Sequence, residues 1–288
     1  MQQPNQPTAV PDRDVAGVYA VVLFYEQLPQ INKAELLEKL RAHCGNVIPL
    51  DGSTTSDTLA FAYADHKVRY QNGELPAQCL IAPAKGPLEM EHYESAFQQT
   101  WDWPQARAVV GECKATLLLT DMLAAGLEPH TRLDLFTGAL LALLEVAPCR
   151  AIYWQPSQQF IEPSAYIAAH QVGENYNPLY GAINVRLFEV QGRLPGEKLM
   201  DTRGLATLGL PDLQCHFVKL DPNEVGHVLY NSAFFTFDRG DIIEDGHTIQ
   251  GIKSDDKWRC QHEDALAPPE RVVLDLDPGP PYAAGDRN

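Results

Sequence analysis

The stretch Asp201–Gly251 opens with DTRGLATLGLPDLQCHF and contains the chain's clearest succession of start and stop signals. We predict a short helical turn over Thr202–Leu208, ended by Gly209, because glycine adopts left-handed backbone conformations at little cost. Pro211 prevents the turn from continuing. The residue pattern of Leu213–Val218 then predicts a β-strand.

A longer helix is predicted to follow, because three helix-start cues occur together. Asp221 is a good N-cap, Pro222 suits the first helical position, and Glu224 stands at the capping-box position. The helix is expected to run to about Phe237 and to stop near Gly240. These signals describe how the chain folds, and they contain no active-site motif.

Further strands are predicted in the last part of the chain. Asp245-Gly246 predicts a tight turn between the short segments Asp241–Ile243 and His247–Ile249. Arg271–Leu276 is predicted to be an edge strand. Both features belong to the second half of the predicted fold.

The first half alternates between strand and helix patterns. Val18–Tyr25 is apolar on both faces and predicts a central strand, and Asn32 can cap the helix that follows. Leu59–Tyr63 and Lys67–Tyr70 are predicted to form a hairpin joined by Ala64–His66. The order β-α-β-β-β-α-β resembles a ferredoxin-like unit with an extra strand.

We therefore predict an α/β (α+β) protein with two sheet-plus-helix lobes, of which the first is ferredoxin-like with an extra strand. The length of 288 residues and the apolar content of 45% suffice for such a core. The expected division is a disordered arm over 1–14, an N-terminal α/β lobe over 15–148, a C-terminal α/β lobe over 149–277, and a flexible tail over 278–288.

The composition limits the classes of function. The formal net charge of −16 disfavours direct binding to nucleic acid, because phosphates would be repelled, and it also disfavours anionic membranes. It is compatible with a basic protein partner, or with acidity that serves solubility alone. The polar start of the chain, and six cysteines without a C-x-x-C pair, favour a cytoplasmic protein with reduced, mostly buried thiols.

No motif for catalysis or cofactor binding stands out. The nine histidines form no H-E-x-x-H motif, no cysteine pair has zinc spacing, and no G-x-S-x-G elbow occurs. Cys215 and His216 are adjacent on a predicted strand, so we expect a buried cysteine and a surface histidine on opposite faces. We therefore predict no catalytic, cofactor-binding or metal-binding residue.

The acidic segment from Asp241 to Asp264 is the predicted partner-binding surface. It combines negative charge with one aromatic side chain, and aromatic residues are common anchors at interfaces. A solvated face without a partner explains the same charges and stays open as the alternative. The predicted contact residues are Asp241, Glu244, Asp245, Asp255, Asp256, Trp258, Glu263 and Asp264.

Three segments within Asp201–Gly251 carry a resemblance to a known family: DTRGLATLGLPDLQCHF, LDPNEVGHVLYNSAFF and GDIIEDGHTIQG. Here the chain resembles a bacterial family, domain of unknown function 4261. The resemblance transfers no catalytic residue. Some members look like the small proteins encoded beside secreted toxins in bacterial competition systems such as type VI secretion, and this implies an immunity role.

The leading functional hypothesis is therefore a non-enzymatic immunity protein, favoured as a monomer, that binds and neutralises a cognate secreted toxin such as a basic nuclease. An acidic surface would accelerate the encounter with such a toxin. Two alternatives stay open. One is an enzyme whose site lies between the lobes and is built from dispersed histidines and carboxylates, and the other is an adaptor or chaperone-like binding protein.

Overall fold

The first sheet of the computed structural model is organised around β1 (Ala20–Tyr25), whose six residues are all buried. A strand that is apolar on both faces has to be covered on both faces, and this confirms the expected central strand. The structure describes residues 17, 19–50, 58–71, 73–84, 88–173, 175–191 and 194–285. The predicted disordered arm over 1–14 lies outside these residues.

The strands of this sheet follow the order β2-β3-β4-β5-β1-β6-β7, and all neighbouring strands are antiparallel. The remaining strands are β2 (Val47–Pro49), β3 (Leu59–Tyr70), β4 (Gly73–Pro83), β5 (Ala115–Met122), β6 (Ala151–Trp154) and β7 (Gln159–Ile161). The helices of this half are α1 (Lys33–Cys44), α2 (Glu94–Gln98), α3 (Ala106–Gly111), α4 (Pro129–Val146) and α5 (Pro163–Ala169). A single 3-10 turn over Met90–Tyr93 precedes α2.

The four strands β4-β5-β1-β6 form a ferredoxin-like core. The chain leaves β1 through α1 and reaches β4, which is separated from β1 by β5; it then leaves β5 through α4 and reaches β6 on the far side of β1. Helices α1 and α4 pack together on one face, whereas α2 and α3 cover Val22 and Phe24 on the other. This arrangement confirms the predicted α+β class, with β2, β3 and β7 extending the sheet.

Two predictions for this half are wrong in detail. The expected hairpin is one continuous strand, β3, in which the register with β4 shifts between Ala62 and Lys67. This irregularity in the strand accommodates the residues that were predicted to form the turn of a hairpin. The expected lobe boundary at Cys149 also falls too early, because β6 pairs with β1 in the register Val22↔Tyr153 and is buried along its whole length.

The second sheet follows the order β11-β12-β13-β10-β9-β8. Helix α6 (Pro222–Arg239) packs against β8, β9 and β10 on one face of this sheet. Among the described residues, no helix of the chain combines the length and apolar content needed to cross a membrane. The strands are β8 (Asn184–Glu189), β9 (Lys198–Arg203), β10 (Asp212–Phe217), β11 (Thr248–Gln250), β12 (Lys257–Asp264) and β13 (Val272–Asp277).

The predicted N-caps at Asn32 and Asp221 are confirmed. The Asn32 side chain accepts the backbone N–H groups of Ala34 and Glu35 at the start of α1. At the start of α6, the Asp221 side chain accepts the N–H of Asn223. Each cap satisfies N–H groups that have no partner inside the helix.

Long-range pairing overturns two strand predictions. The predicted edge strand is β13, an inner strand that runs parallel to β10 with Leu213 beside Leu274. The expected hairpin of Asp241–Ile243 does not form, because β11 pairs with β12 instead. Ile243 is buried in the main core, which holds its segment away from β11.

The helical turn near the start of the quoted stretch is shorter than predicted. Thr202 and Arg203 belong to β9, and a 3-10 turn covers only Leu205–Leu208. Gly209 follows in the left-handed conformation with φ of 79°, as expected. The strand continues to Arg203 because β8 pairs with Thr202 and Arg203, beyond the point where the pairing with β10 ends at Asp201.

The predicted flexible tail is held in place as far as the structure describes it. The Val218 N–H donates to the Tyr282 carbonyl, and the Ala284 N–H donates to the His216 carbonyl. Ala283 forms a bridge with Phe217. The segment therefore continues the hydrogen bonding of β10, and residues 286–288 lie outside the described part.

The two lobes share one hydrophobic core. Its buried cluster includes Phe136 and Trp154 from the first lobe and Leu213 and Leu229 from the second. Arg132 of α4 adds a polar link, donating to the Thr207 carbonyl at 2.7 Å. The contact between the lobes thus creates the walls of the cleft described below.

We predict that Gly204→Ala destabilises the protein far more than Gly209→Ala. Both glycines have a positive φ, 137° and 79°, so alanine is strained at either position by about 1–2 kcal/mol. Only at Gly204 would the new Cβ also meet backbone, 1.9 Å from the Ala182 oxygen; at Gly209 nothing lies within 4 Å. The free energy of unfolding in urea should fall by about 3 kcal/mol or more for Gly204→Ala. Equal losses at the two positions would contradict this packing.

Candidate functional site

Two carboxylates of the predicted partner-binding surface lie around one histidine. Asp241 follows α6, Asp245 precedes β11, and His262 lies on β12. Nδ1 of His262 is 2.8 Å from an Asp245 oxygen, and Nε2 is 3.2 Å from an Asp241 oxygen. The same Asp245 oxygen accepts the His262 backbone N–H at 2.8 Å. These contacts hold the loop after α6 against β12.

The carboxylates determine how this histidine titrates. Partial burial lowers the pKa of His262, but hydrogen bonds to Asp245 and Asp241 and the charges of both outweigh that effect, so the pKa is raised above 6.5. Conversely, the hydrogen bonds from His262 hold the pKa of Asp245 below its ordinary value. A charged His262 therefore holds both carboxylates in place through charge-assisted hydrogen bonds.

Most of the other predicted contact residues are accessible to solvent. Glu244, Asp255 and Asp264 are exposed. Asp256 is half-buried, and one of its side-chain oxygens accepts the Lys253 backbone N–H at 2.9 Å. We call the exposed carboxylates of this segment the acidic surface; they are Asp241, Glu244, Asp245, Asp255 and Asp264.

Two predicted contact residues lie elsewhere. Trp258 is only 2% exposed, so the expectation of an accessible aromatic anchor is wrong. Its indole lies directly on the backbone at Gly251, where an added Cβ would be 2.2 Å from the indole nitrogen. Glu263 is half-buried and lines a cavity on the other face of the sheet, since side chains alternate along β12.

The face of the second sheet that turns away from α6 carries buried charges. Arg186 on β8 donates two hydrogen bonds, of 2.9 and 2.5 Å, to Asp201 on β9. Arg271, just before β13, donates to Asp201 at 2.8 Å and to Asp212 on β10 at 3.0 Å. None of the four side chains is more than 8% exposed. We call these four residues the buried ion network.

Hydrogen bonds from neutral groups complete this network. Asp212 accepts the Leu205 backbone N–H at 3.1 Å and the Thr202 hydroxyl at 3.3 Å. Complete burial raises the pKa of Asp212, while the charge of Arg271 and the backbone N–H groups oppose that rise. Among the described residues, these charges are paired with one another and with neutral donors, which indicates a structural role.

A cleft of about 450 Å³ lies between the two lobes. Trp101 and Asp102, in the loop before α3, line it from the first lobe, and His227 and Tyr230 of α6 line it from the second. A volume of this size is typical of ligand-binding pockets. We call it the inter-lobe cleft.

Polar groups with different partners converge on the inter-lobe cleft. Asn177 and Tyr230 exchange hydrogen bonds of 2.9 and 3.0 Å. Gln159 of β7 is 8% exposed, and its buried Oε1 atom has no hydrogen-bond partner in the described structure. Burial raises the pKa of both Tyr180 and Tyr230, and the charge of Asp102 raises each further, so both phenols stay neutral.

Within the residues that the structure describes, no group of three or more His, Cys, Asp and Glu side chains is placed to hold a metal ion. Cys215 and His216 point to opposite faces as expected, but His216 is buried, with Nε2 3.3 Å from a Glu197 oxygen. All six cysteines are free thiols, and burial raises the pKa of Cys149 to about 12.

The acidic surface and three members of the buried ion network lie in one segment that a comparison with protein families identifies. Residues 201–277 match the family model described as Domain of unknown function (DUF4261). This match confirms the resemblance inferred from the quoted motifs. The matched residues, which we call the DUF4261 segment, begin at Asp201 and include Asp212 and Arg271. No curated protein and no solved structure matches the chain.

Sequence reasoning missed the buried ion network, and it raised an inter-lobe site only as an alternative, without its lining residues. The network is visible in the sequence pattern, because Arg186 interrupts the strand NVRLFE and Asp201 interrupts KLMDTR at positions that a fully apolar strand would fill. The cleft left no comparable signal. Its residues come from both lobes, and only the fold brings Asp102, Gln159 and Tyr230 to one place.

We predict that the pKa of His262 falls toward 6.5 when either Asp241 or Asp245 is replaced by Asn. The stabilisation from these contacts is fully present below about pH 6.5 and is lost as pH rises through the raised folded-state pKa. An NMR titration of the His262 ring measures this pKa directly. Asp255→Asn, which removes an exposed carboxylate without a His262 contact, is the control. An unchanged pKa in Asp245→Asn would contradict the assignment.

Proposed function

We propose that this protein is a non-enzymatic immunity protein that acts in the cytoplasm by binding a basic secreted toxin. The acidic surface carries the proposal, because Asp241, Glu244 and Asp245 lie shortly before β11, the outermost strand of the second sheet, and Asp255 lies shortly after it. A toxin that binds nucleic acid needs a basic surface, and nucleases are therefore fitting targets. The immunity protein would cover that basic surface and would not bind nucleic acid itself.

The fixed position of the carboxylates supports this proposal. Asp241 and Asp245 are both held by His262, and Asp256 is held by the Lys253 backbone N–H. Side chains that are already ordered lose less conformational entropy when a partner binds. A merely solvated face needs no such ordering.

The charge of the whole chain also supports it. A net charge of −16 attracts a basic partner over distances longer than a hydrogen bond and accelerates productive encounter. Salt screens this attraction, since the Debye length at physiological ionic strength is about 8 Å. Association with the partner should therefore slow markedly as salt is added.

The enzyme alternative would depend on the inter-lobe cleft. Its lining includes one histidine, His227, and the carboxylate of Asp102, and both side chains are exposed. Catalytic acids and bases are more often desolvated or held by an orienting partner. A binding protein is therefore the better supported proposal.

The direct test is co-purification of the tagged chain with the basic protein encoded by a neighbouring gene, followed by calorimetry at low and high salt. We expect a one-to-one complex with nanomolar affinity that weakens by at least about tenfold between 50 and 500 mM salt. Failure of each basic neighbouring product to bind would contradict the proposal. Several weak partners without a tight one would favour the adaptor alternative.

We predict that the triple variant Glu244→Lys, Asp255→Lys, Asp264→Lys slows association with the toxin by about tenfold or more. The matched control is Glu35→Lys, Glu38→Lys, Glu91→Lys, which changes three exposed carboxylates of the first lobe by the same total charge. Stopped-flow fluorescence measures both rates. An equal effect of the two variants would show that net charge alone matters and would refute the acidic surface as the contact.

A further inference from the structure

We propose that the inter-lobe cleft binds an arginine side chain presented by the protein partner. This inference rests on the proposed function and adds to it the group that anchors a basic partner. Its first support is charge: Asp102 lines the cleft, and no lysine or arginine occurs among the described residues that line it. A cation entering the cleft therefore gains attraction without an opposing positive side chain nearby.

The aromatic side chains of the cleft favour a planar cation. Trp101 is 57% exposed at one side of the cleft, and Tyr180 and Tyr230 line it further along. Their ring faces are electron-rich, and a guanidinium group stacks on such faces more readily than a compact ammonium group. The two phenols stay neutral, as described above, and so supply ring faces and hydroxyl groups without an additional charge.

The unpartnered amide of Gln159 calls for a hydrogen-bond donor. Its Oε1 atom is buried without a partner, which is unfavourable for a polar atom inside a protein. A guanidinium group has five N–H donors and no acceptor, so it can donate to the carboxylate of Asp102 and still offer donors to the Gln159 amide once that side chain turns toward the cleft. Lysine offers fewer donors and no planar face.

The shape of the cleft suits the aliphatic part of an arginine. Val185 and Met200 provide apolar lining, against which the methylene groups can pack. Gly226 keeps this lining accessible, because a Cβ at that position would lie 3.3 Å from the Met200 methyl group. Glycine is unfavourable inside a helix, and an open cleft is a physical reason for its presence in α6.

An anion is a poorer occupant, although the first turn of α6 borders the cleft. Helix N-termini attract anions through free N–H groups. Here Pro222 has no N–H, and the N–H of Asn223 already donates to the Asp221 side chain at 2.9 Å. The carboxylate of Asp221 also offsets the positive end of the helix dipole.

The test is an NMR titration of the full chain with N-acetyl-arginine amide, compared with N-acetyl-citrulline amide. The two probes have nearly the same shape, but citrulline is neutral. We expect the arginine probe to shift the Trp101 indole and Gln159 side-chain amide signals at millimolar concentration, and the citrulline probe to bind at least about tenfold more weakly. Equal binding of the two probes would overturn the proposal.

Single substitutions locate the site. Trp101→Ala should weaken binding of the arginine probe by at least about threefold, whereas Tyr176→Ala, which removes an exposed aromatic side chain outside the cleft lining, should leave it unchanged. Gln159→Glu should strengthen binding and Gln159→Leu should weaken it, because the first adds a charge and the second removes the acceptor. Equal effects of Trp101→Ala and Tyr176→Ala, or an unchanged affinity in both Gln159 variants, would refute the site.

Free arginine distinguishes a small molecule from a protein side chain. Tighter binding of the free amino acid than of the capped probe would overturn the assignment to a protein partner.

Failure of this inference can be distinguished from failure of the proposed function. If the toxin complex forms and depends on the acidic surface, but no cleft substitution alters it and the capped probe does not bind, this inference fails and the proposed function survives.

Discussion

The guanidinium group of Arg271 is the interaction on which the second sheet depends. All five of its N–H groups donate: to Asp201, to Asp212, and to the carbonyls of Thr202, Ala267 and Pro269. A buried charge is costly unless its partners are complete, and here they are complete. The group joins β9, β10 and the segment before β13, and Asp201 extends the connection to Arg186 on β8. The relative positions of β8, β9 and β10 are therefore held by polar contacts on one face and by the apolar contacts of α6 on the other.

The buried ion network explains how the DUF4261 segment holds its strands together. The match begins at Asp201 and ends at 277 with the last residue of β13, so it contains the network's two carboxylates, Arg271, and the parallel pairing of β10 with β13. The buried charges of this segment stabilise the fold, whereas its exposed charges, on the acidic surface, are available to a partner. The inter-lobe cleft lies where this segment meets the first lobe, and Met200, Gly226 and Tyr230 line it from the second lobe. The residues that stabilise the second sheet therefore also determine where the acidic surface and the inter-lobe cleft lie.

Local signals predicted local structure, and long-range contacts account for most of the rest. The caps at Asn32 and Asp221 and the buried strand β1 were predictable because a few neighbouring residues determine them. The inner position of β13 was not, since its pairing with β10 joins residues about sixty positions apart in the sequence. The acidity of the candidate surface was visible in the composition, but the burial of Trp258 depends on its contact with the backbone at Gly251. Likewise, nothing local indicates that Arg271 reaches Asp201, seventy residues earlier.

We expect the buried ion network to stabilise the fold and to take no direct part in binding. A double-mutant cycle with Asp201→Ala and Arg271→Met, followed by urea unfolding, tests it most directly. Each single variant leaves a buried charge or polar group without its partner and should cost about 3–5 kcal/mol, and the coupling energy between the two should reach about 2 kcal/mol or more. Additive losses, with a coupling energy within about 0.5 kcal/mol of zero, would contradict the account. So would a fully stable Asp201→Ala protein that had lost the ability to bind its partner.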